Sequence, residues 1–146
     1  MRGVHAGIRR LDSQGKDMTI TRYGTGESGA GKQPLPFARA VQADGWLYVS
    51  GQVALKNGEL TGGGVVAEAR VAIENMIAIL HEAGYGTQDI VRVGVWLDDP
   101  RDFAAFNAVY AGYFGSNPPA RACVQSRMMI DCKVEIDCVA FRQDRK

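Results

Sequence analysis

The residue types best suited to chemistry lie near the carboxyl end of the chain, between Pro118 and Phe141. Arg121 opens a predicted strand directly after a Pro-Pro-Ala turn, and Glu135 stands on the following strand in a Val-Glu-Ile context. An arginine in a partly buried cleft can hold a carboxylate through two parallel hydrogen bonds. The same arginine could equally be a solvated surface cation, so spacing alone leaves both interpretations open.

Cysteine and histidine offer little further chemistry. Cys123, Cys132 and Cys138 form neither an even disulfide framework nor a Cys-x-x-Cys metal motif. Their apolar surroundings predict core or pocket positions in a reducing compartment. Only His5 and His81 could serve a zinc site or a Ser-His-Asp triad, and neither has suitable neighbours. We therefore expect no metal.

A glycine-rich segment, Gly26 to Lys32, has the spacing of a phosphate-binding loop. That mechanism also needs a hydroxyl residue next to the lysine and a helix whose first amides meet the phosphates. Here Gln33 follows, and Pro34 and Pro36 disfavour a helix. We expect a flexible loop without nucleotide chemistry.

Apolar periodicity predicts six strands and two helices in an α+β arrangement, with both helices on one face of a single sheet. The predicted strands cover 18–23, the two arms of a hairpin that turns at Asp44-Gly45, 90–99, 120–129 and 133–141. The first helix should end at Gly84 and bury Val66, Ala69, Ile73, Met76, Ile77 and Leu80. The second should begin near Pro100 and bury Phe103, Phe106, Val109, Tyr110 and Phe114.

The second face of the predicted sheet mixes polar and apolar side chains. On the strand 90–99, Val91, Val93, Val95 and Leu97 should face the helices, leaving Arg92, Gly94 and Trp96 on the other side. The last strand likewise turns Lys133, Glu135 and Asp137 away from Val134, Ile136, Cys138 and Ala140. Such a face is either buried in a symmetric oligomer or simply solvated.

Composition indicates one ordinary globular domain. The chain has 146 residues, 46% of them hydrophobic, and a formal net charge of +1 with acids and bases interspersed. No basic stripe favours a nucleic-acid partner, and no apolar run is long enough for a membrane helix. Residues 1–17 have arginines but no hydrophobic stretch, so we expect a disordered extension before a domain over 18–146, and a cytoplasmic protein.

Taken in order, several motifs resemble the RidA-type reactive intermediate deaminases of the Rid/YjgF family. The resemblance covers Met18 to Arg142. It rests on Ser50-Gly51-Gln52 after the hairpin strand, IENMIAILHEAG in the first helix, DDPRDFAAFNAVYAGYF around the second, and PPARACV followed by KVEID. It implies a fold like that of chorismate mutase, assembled as a homotrimer with clefts between neighbouring subunits.

The resemblance also implies a reaction and its residues. Enamines such as 2-aminoacrylate tautomerise to imines, and water converts the imine to a 2-keto acid and ammonia without a cofactor. Arg121 would bind the substrate carboxylate and Glu135 would position or activate the water. The cleft would be lined by Phe37, Ser50, Gly51, Asn107 and Cys123. Cys123 would act either as a nucleophile or through packing and a backbone hydrogen bond, and the second role is favoured because no histidine is near to activate its thiol.

Two residues depart from the family pattern before the hairpin. Phe37 replaces a tyrosine whose hydroxyl lies at the cleft, and Arg39 replaces a glutamine. Phe37 supports one alternative, a small-ligand binding or regulatory module that uses the same cleft without turnover. A further alternative, an older assignment within the family, is a ribonuclease or translation inhibitor. Two observations argue against the ribonuclease, namely the balanced charge and the shortage of histidines, of which the chain has only two.

Overall fold

A computed structural model describes residues 34–143 together with 5–6, 10–11, 13–15 and 17–25. The strands are β1 (His5–Ala6), β2 (Arg10–Leu11), β3 (Asp17–Met18), β4 (Ile20–Tyr23), β5 (Ala40–Ala43), β6 (Trp46–Gln52), β7 (Leu55–Lys56), β8 (Glu59–Leu60), β9 (Ile90–Leu97), β10 (Ala120–Gln125) and β11 (Val134–Phe141). The helices are α1 (Gly64–Glu82) and α2 (Phe103–Phe114).

The main sheet has the strand order β1-β4-β5-β6-β11-β9-β10. Strands β9 and β10 run parallel, whereas the other neighbours in this sheet are antiparallel. The predicted mixed sheet of six strands with two helices on one face is confirmed, and the two-residue β1 is added at its edge. Strand β10 lies at the opposite edge, so one side of its backbone has no neighbour in the described sheet.

Turn residues place the hairpins where the sequence predicts them. Asp44 and Gly45 have φ values of 47° and 81° between β5 and β6, as a two-residue type I′ turn requires. Helix α1 ends as expected at Gly84, which has a φ of 83°. The Gly84 N–H donates to the carbonyl of His81 and the Tyr85 N–H donates to that of Leu80, which is the Schellman pattern.

The predicted buried stripes of both helices need correction at their edges. Helix α1 buries Val65 rather than Val66, which is 43% exposed, and Ile77 is only partly buried. The α1 stripe is therefore rotated from the predicted one. In α2, Phe106 is fully buried but Phe103 is 46% exposed. A short 3-10 turn over Pro100–Asp102 precedes α2, so Phe103 is the first residue of the helix.

Strand β9 departs from the predicted alternation at one residue. Ala140 pairs with Ile90 and Val139 pairs with Arg92, which leaves Val91 as an extra residue in a bulge. Val91 is consequently 43% exposed instead of facing the helices. Beyond the bulge the prediction is confirmed, because Val93, Val95 and Leu97 are buried in the core.

The sheet face turned away from the helices is here called the open face. It exposes large side chains, namely Trp46, Tyr48, Val124 and Phe141, of which Tyr48 is 52% exposed. Their partners in register on this face include Trp96 and Val139. Burial of this face in an oligomer stays a prediction.

Two predictions concern chain segments that the structure describes incompletely. The segment 26–33, which resembles a phosphate-binding loop, lies outside the described residues. Much of 1–17 also lies outside them, although its described parts include β1 and β2. The disordered extension and the domain start at residue 18 therefore stay predictions. None of the described helices is long and apolar enough to cross a membrane.

Candidate functional site

Glu135 lies on the open face, close to a glycine of the neighbouring strand. It pairs with Trp96 of β9, and its neighbours Val134 and Ile136 point into the core. Its Oε1 atom occupies the place where a side chain at Gly51 would begin, and its Cδ lies 3.0 Å from that same Cβ position. Gly51 thus leaves room for the carboxyl group, which any other residue at this position would displace.

The Glu135 carboxyl is held in conditions that favour its protonated form. Burial raises the pKa of Glu135, and the negative charge of Asp137 raises it further. Asp137 lies two residues along on the same face and accepts a hydrogen bond of 3.0 Å from the Gly94 N–H. Burial also raises the pKa of Asp137, and the Gly94 N–H and the charge of Arg92 partly offset that rise. A raised pKa makes this carboxyl a stronger base than an ordinary glutamate, which suits it to proton exchange with a substrate or water.

A cleft of about 160 Å³ opens beside Glu135. It is lined by Trp96 and by the loop that joins β10 to β11, with Ser126, Arg127, Met128 and Met129. These loop residues are not among the site residues predicted from the sequence. The only signal in the sequence that they belong to the site is their position between the strand that carries Arg121 and the strand that carries Glu135.

Ser50 precedes Gly51 at the end of β6, and its contacts hold the segment that carries Phe37. The Ser50 hydroxyl donates a hydrogen bond of 2.7 Å to the carbonyl of Ala38, and the Ser50 N–H donates to the carbonyl of Arg39. These bonds fasten the segment that precedes β5 to the end of β6. Phe37, on that segment, is 49% exposed. Ser50 therefore has a structural contact that positions Phe37.

Arg39 lies against the carboxyl end of α1. Its Nη2 atom forms an ion pair of 2.9 Å with Oε2 of Glu82. The side chain also packs beside Gly24. The Arg39 side chain is thus held by contacts with α1 and with the segment at Gly24.

Arg121 lies on the other face of the sheet. It pairs with Val93, which is fully buried beneath the helices. Its guanidinium carbon lies 4.7 Å from the ring centre of Tyr110, 5.8 Å from that of Phe106 and 5.9 Å from that of Phe103. No described residue forms an ion pair or a side-chain hydrogen bond with Arg121. The cation is thus surrounded by α2 rings without a carboxylate partner.

Cys123 lies on the same strand and face as Arg121, and Asn107 lies on α2. Cys123 pairs with Val95 and packs against the core on the same face. Burial raises the pKa of its thiol, against a smaller lowering effect of the Arg121 charge. Asn107 follows Phe106 on α2 and is half-buried. The thiol is therefore mostly protonated at neutral pH, which agrees with the packing role expected for it.

The structure thus brings the seven predicted site residues into two separate groups. Arg121 and Glu135 lie on opposite faces of the sheet, because Arg121 pairs with core-facing Val93 and Glu135 with Trp96 of the open face. They are two strands and three rows apart, or about 14 Å between their Cα atoms. The helix-side group consists of Asn107, Arg121 and Cys123. The second group consists of Phe37, Ser50, Gly51 and Glu135, around the end of β6 and the start of β11.

No three histidine, cysteine, aspartate or glutamate side chains are grouped so as to hold a metal ion within the described part of the chain. The prediction that the reaction needs no cofactor is not tested by this arrangement and stays a prediction.

A family model described as Endoribonuclease L-PSP matches residues 31–142. A mouse 2-iminobutanoate/2-iminopropanoate deaminase is 41% identical over 110 residues, which are 73% of this chain and 82% of the mouse protein. A RutC family protein of Pyrococcus horikoshii is 40% identical over 111 residues, covering 74% of this chain and 88% of that protein.

Solved structures agree with the sequence matches. The Escherichia coli YjgF gene product superposes with a TM-score of 0.73 at 33% identity and covers 84% of this chain and 98% of its own. Escherichia coli TdcF with bound serine superposes with a TM-score of 0.72 at 32% identity, covering 81% and 94%. The architecture is therefore that of the YjgF/L-PSP structures. This chain belongs to the Rid/YjgF family, as its motifs predict.

Proposed function

We propose that this protein hydrolyses reactive enamine or imine intermediates that carry a carboxylate, releasing a 2-keto acid and ammonia. The observation that carries the proposal is the pair of groups that the reaction needs. Arg121 is a cation with no acidic partner among the described residues, and Glu135 is a carboxyl whose pKa is raised. The mouse relative named as an imine deaminase supports the same reaction class.

The chemistry balances with water as the only co-substrate. The enamine tautomerises to the imine, and a water oxygen attacks the imine carbon while Glu135 takes a proton from that water. That proton passes to the imine nitrogen and gives a carbinolamine. A second proton then moves from the hydroxyl group of the carbinolamine to its amino group, the C–N bond breaks, and ammonia leaves as the C=O bond forms. Arg121 holds the carboxylate in two parallel hydrogen bonds, which fixes the imine carbon relative to Glu135. General acid–base help of this kind contributes about 10²–10⁴-fold.

A complete site of this kind requires a second copy of the chain. Arg121 and Glu135 lie on opposite faces of one subunit, so they can meet at one substrate only across a subunit interface. A homotrimer with three such interfaces is the assembly we propose. Each interface would join the helix-side group of one subunit to the Glu135 group of the next, in a closed heterologous ring. The exposed apolar residues of the open face support its burial in this assembly.

The proposed compartment is the cytoplasm. Three free cysteines support it, since Cys132 and Cys138 are buried thiols that suit a reducing environment.

The test uses 2-aminoacrylate made in situ by a pyridoxal-dependent serine or cysteine enzyme. Semicarbazide traps the free imine, and pyruvate formation is followed with and without this protein. We expect less trapped product with the wild-type chain. Arg121→Lys should nearly abolish the effect because a lone ammonium cannot reproduce the planar fork of a guanidinium. Glu135→Gln should assemble normally and turn over slowly.

Matched variants keep the assay interpretable. Arg70→Lys on α1 and Glu59→Gln on β8 make the same chemical changes at exposed positions and should leave turnover intact. Full activity of Arg121→Lys would remove Arg121 from the mechanism. Carboxylate binding without turnover of any carboxylated imine would favour the binding module. RNA cleavage with a steep salt dependence would instead favour the ribonuclease.

A further inference from the structure

We propose that three rings of α2 act as positioning residues for the carboxylate-binding arginine. Phe103, Phe106 and Tyr110, here called the ring cradle, hold the Arg121 guanidinium in the orientation in which it receives the substrate carboxylate. This inference rests on the proposed function, because it assigns a role within the same site.

The cradle is built by helical spacing against the edge of the sheet. Phe103, Phe106 and Tyr110 recur at intervals of three and four residues, so their side chains share one side of α2. Arg121 stands on edge strand β10 and reaches toward that side. Its guanidinium carbon lies within 6 Å of all three ring centres, the nearest being Tyr110 at 4.7 Å. Cation–π attraction operates over these distances.

The rings restrict the cation without neutralising it. An acidic partner would occupy the N–H groups that a substrate carboxylate must use, and none of the described residues supplies one. Aromatic rings attract the guanidinium through their faces and accept no hydrogen bond in its plane. The ring cradle also removes water from one side of the cation. The N–H groups in the plane of the guanidinium therefore stay free for a carboxylate. Because the rings already restrict the Arg121 side chain, it loses less conformational entropy when the carboxylate binds.

Phe103 distinguishes this role from ordinary core packing. Phe106 and Tyr110 are 0% and 7% exposed, so the core alone would account for them. Phe103 is 46% exposed, yet its ring lies 5.9 Å from the guanidinium carbon. Its one described cation–π contact is with Arg121. A change at Phe103 should therefore affect Arg121 more than it affects the folded core.

Tyr110 separates the role of the ring from that of the hydroxyl. Its hydroxyl is buried and has no hydrogen-bond partner among the described residues, which disfavours the folded state. The ring, in contrast, is the closest of the three to the guanidinium. The proposal therefore assigns the positioning role to the ring, and Tyr110→Phe becomes the conservative variant that preserves it.

The experiment measures binding apart from turnover. The probe is 2-ketobutanoate, the keto acid formed from a four-carbon imine, titrated by calorimetry into the full-length protein, with 2-butanone as the probe that lacks a carboxylate. Phe103→Leu should raise the Kd for 2-ketobutanoate about three- to ten-fold. Tyr110→Leu should do so at least as strongly, whereas Tyr110→Phe should stay within about two-fold of wild type, because it keeps the ring.

The matched control is Tyr113→Leu, which changes another partly buried ring of α2. Tyr113 donates a hydrogen bond to Glu74 and its ring is near Phe114, and it is not among the rings that contact the Arg121 guanidinium. This variant should keep the wild-type Kd. In the turnover assay, the Phe103→Leu variant should show a raised KM with kcat nearly unchanged, since the rings act on carboxylate binding and not on the water.

The outcomes separate this inference from the proposed function. If no imine is converted but 2-ketobutanoate binds with the expected dependence on Phe103 and Tyr110, the deaminase proposal fails and the ring cradle stands. Unchanged Kd and KM in Phe103→Leu and Tyr110→Leu, with normal deaminase activity, would overturn the cradle alone. A loss in Tyr110→Phe equal to that in Tyr110→Leu would assign the role to the hydroxyl and overturn the ring interpretation.

Discussion

Arg121 and Glu135 stand on opposite faces of one sheet, with Val93 as the register partner of the first and Trp96 as that of the second. Side chains alternate strictly along a strand, so residues that pair with Val93 and Trp96 must point to different sides. No rotamer change can bring the two groups together within one subunit. Two copies of the chain can do so, with Arg121 supplied by one copy and Glu135 by the other.

Mixing two impaired variants should restore part of the activity. Arg121→Lys subunits keep Glu135, and Glu135→Gln subunits keep Arg121. After the two are unfolded together and refolded at equal amounts, about a quarter of the interfaces should combine an intact Arg121 with an intact Glu135. The measurement is deaminase activity of the mixture against that of each variant treated alone. A mixture no more active than its parents would mean that each site belongs to one subunit.

Gly51→Ala should displace Glu135 while leaving the fold intact. A Cβ at Gly51 would overlap the Glu135 carboxyl, so that group must move from its position beside the cleft. We expect kcat to fall by about ten-fold or more, because misplacement of a catalytic group by about 1 Å can cost about 10² in rate. Steady-state kinetics measures the fall in kcat, and thermal unfolding tests whether the fold stays intact.

The control for this variant is Gly112→Ala on α2, where an added Cβ meets no atom within 4 Å. Alanine is favoured over glycine in a helix by about 1 kcal/mol, so this variant should be at least as stable and fully active. Undiminished kcat in Gly51→Ala would show that Glu135 does not depend on the space at Gly51.

Asp137→Asn should move the acidic limb of the pH–rate profile to lower pH. Burial and then the Asp137 charge raise the pKa of Glu135. Removal of that charge lowers the pKa of Glu135, although burial keeps it above the ordinary value. If Glu135 acts as a base, activity rises with pH through its pKa, so the rise should begin earlier in the variant. Activity measured across the acidic range, with Glu59→Gln as the control, decides this. If the acidic limb does not move in Asp137→Asn, the group that controls the pH dependence is not Glu135.

The same substitution has a consequence for stability. The folded-state pKa values of Glu135 and Asp137 are raised above those of the unfolded chain. Their contribution to stability is therefore fully present below the unfolded pKa and is lost as pH rises through the folded pKa. Asp137→Asn should unfold at a higher temperature than wild type at pH values above that range, and the difference should shrink in acid.

Cys123→Ser should keep most of the activity. Burial raises the pKa of the Cys123 thiol, and it raises those of Cys132 and Cys138 to about 11 and about 12. All three thiols are therefore mainly protonated at neutral pH and are poor nucleophiles. Native protein should resist alkylation by iodoacetamide at pH 7, as read by mass spectrometry. An inactive Cys123→Ser variant that still folds would point to covalent catalysis.

Local patterns in the sequence determine most of the elements. Asp44-Gly45 places a hairpin because both residues tolerate a positive φ, and Gly84 ends α1 for the same reason. Alternation on β11 correctly separates Ile136 from Glu135, since the period of a strand needs no knowledge of its neighbours. Arg121 and Glu135 could be singled out in the same way, by residue type and position on predicted strands.

Relationships between distant residues were decided by the tertiary structure alone. The bulge that exposes Val91 depends on how β9 pairs with β11, and nothing within β9 specifies it. The parallel register of β10 on β9 sets Arg121 beneath α2, where Phe103 and Tyr110 surround it. Sequence fixes the faces of each strand separately, whereas the register between strands decides which faces and which residues meet. That is why the sequence could name Arg121 and Glu135 but could not place them on opposite sides of one sheet.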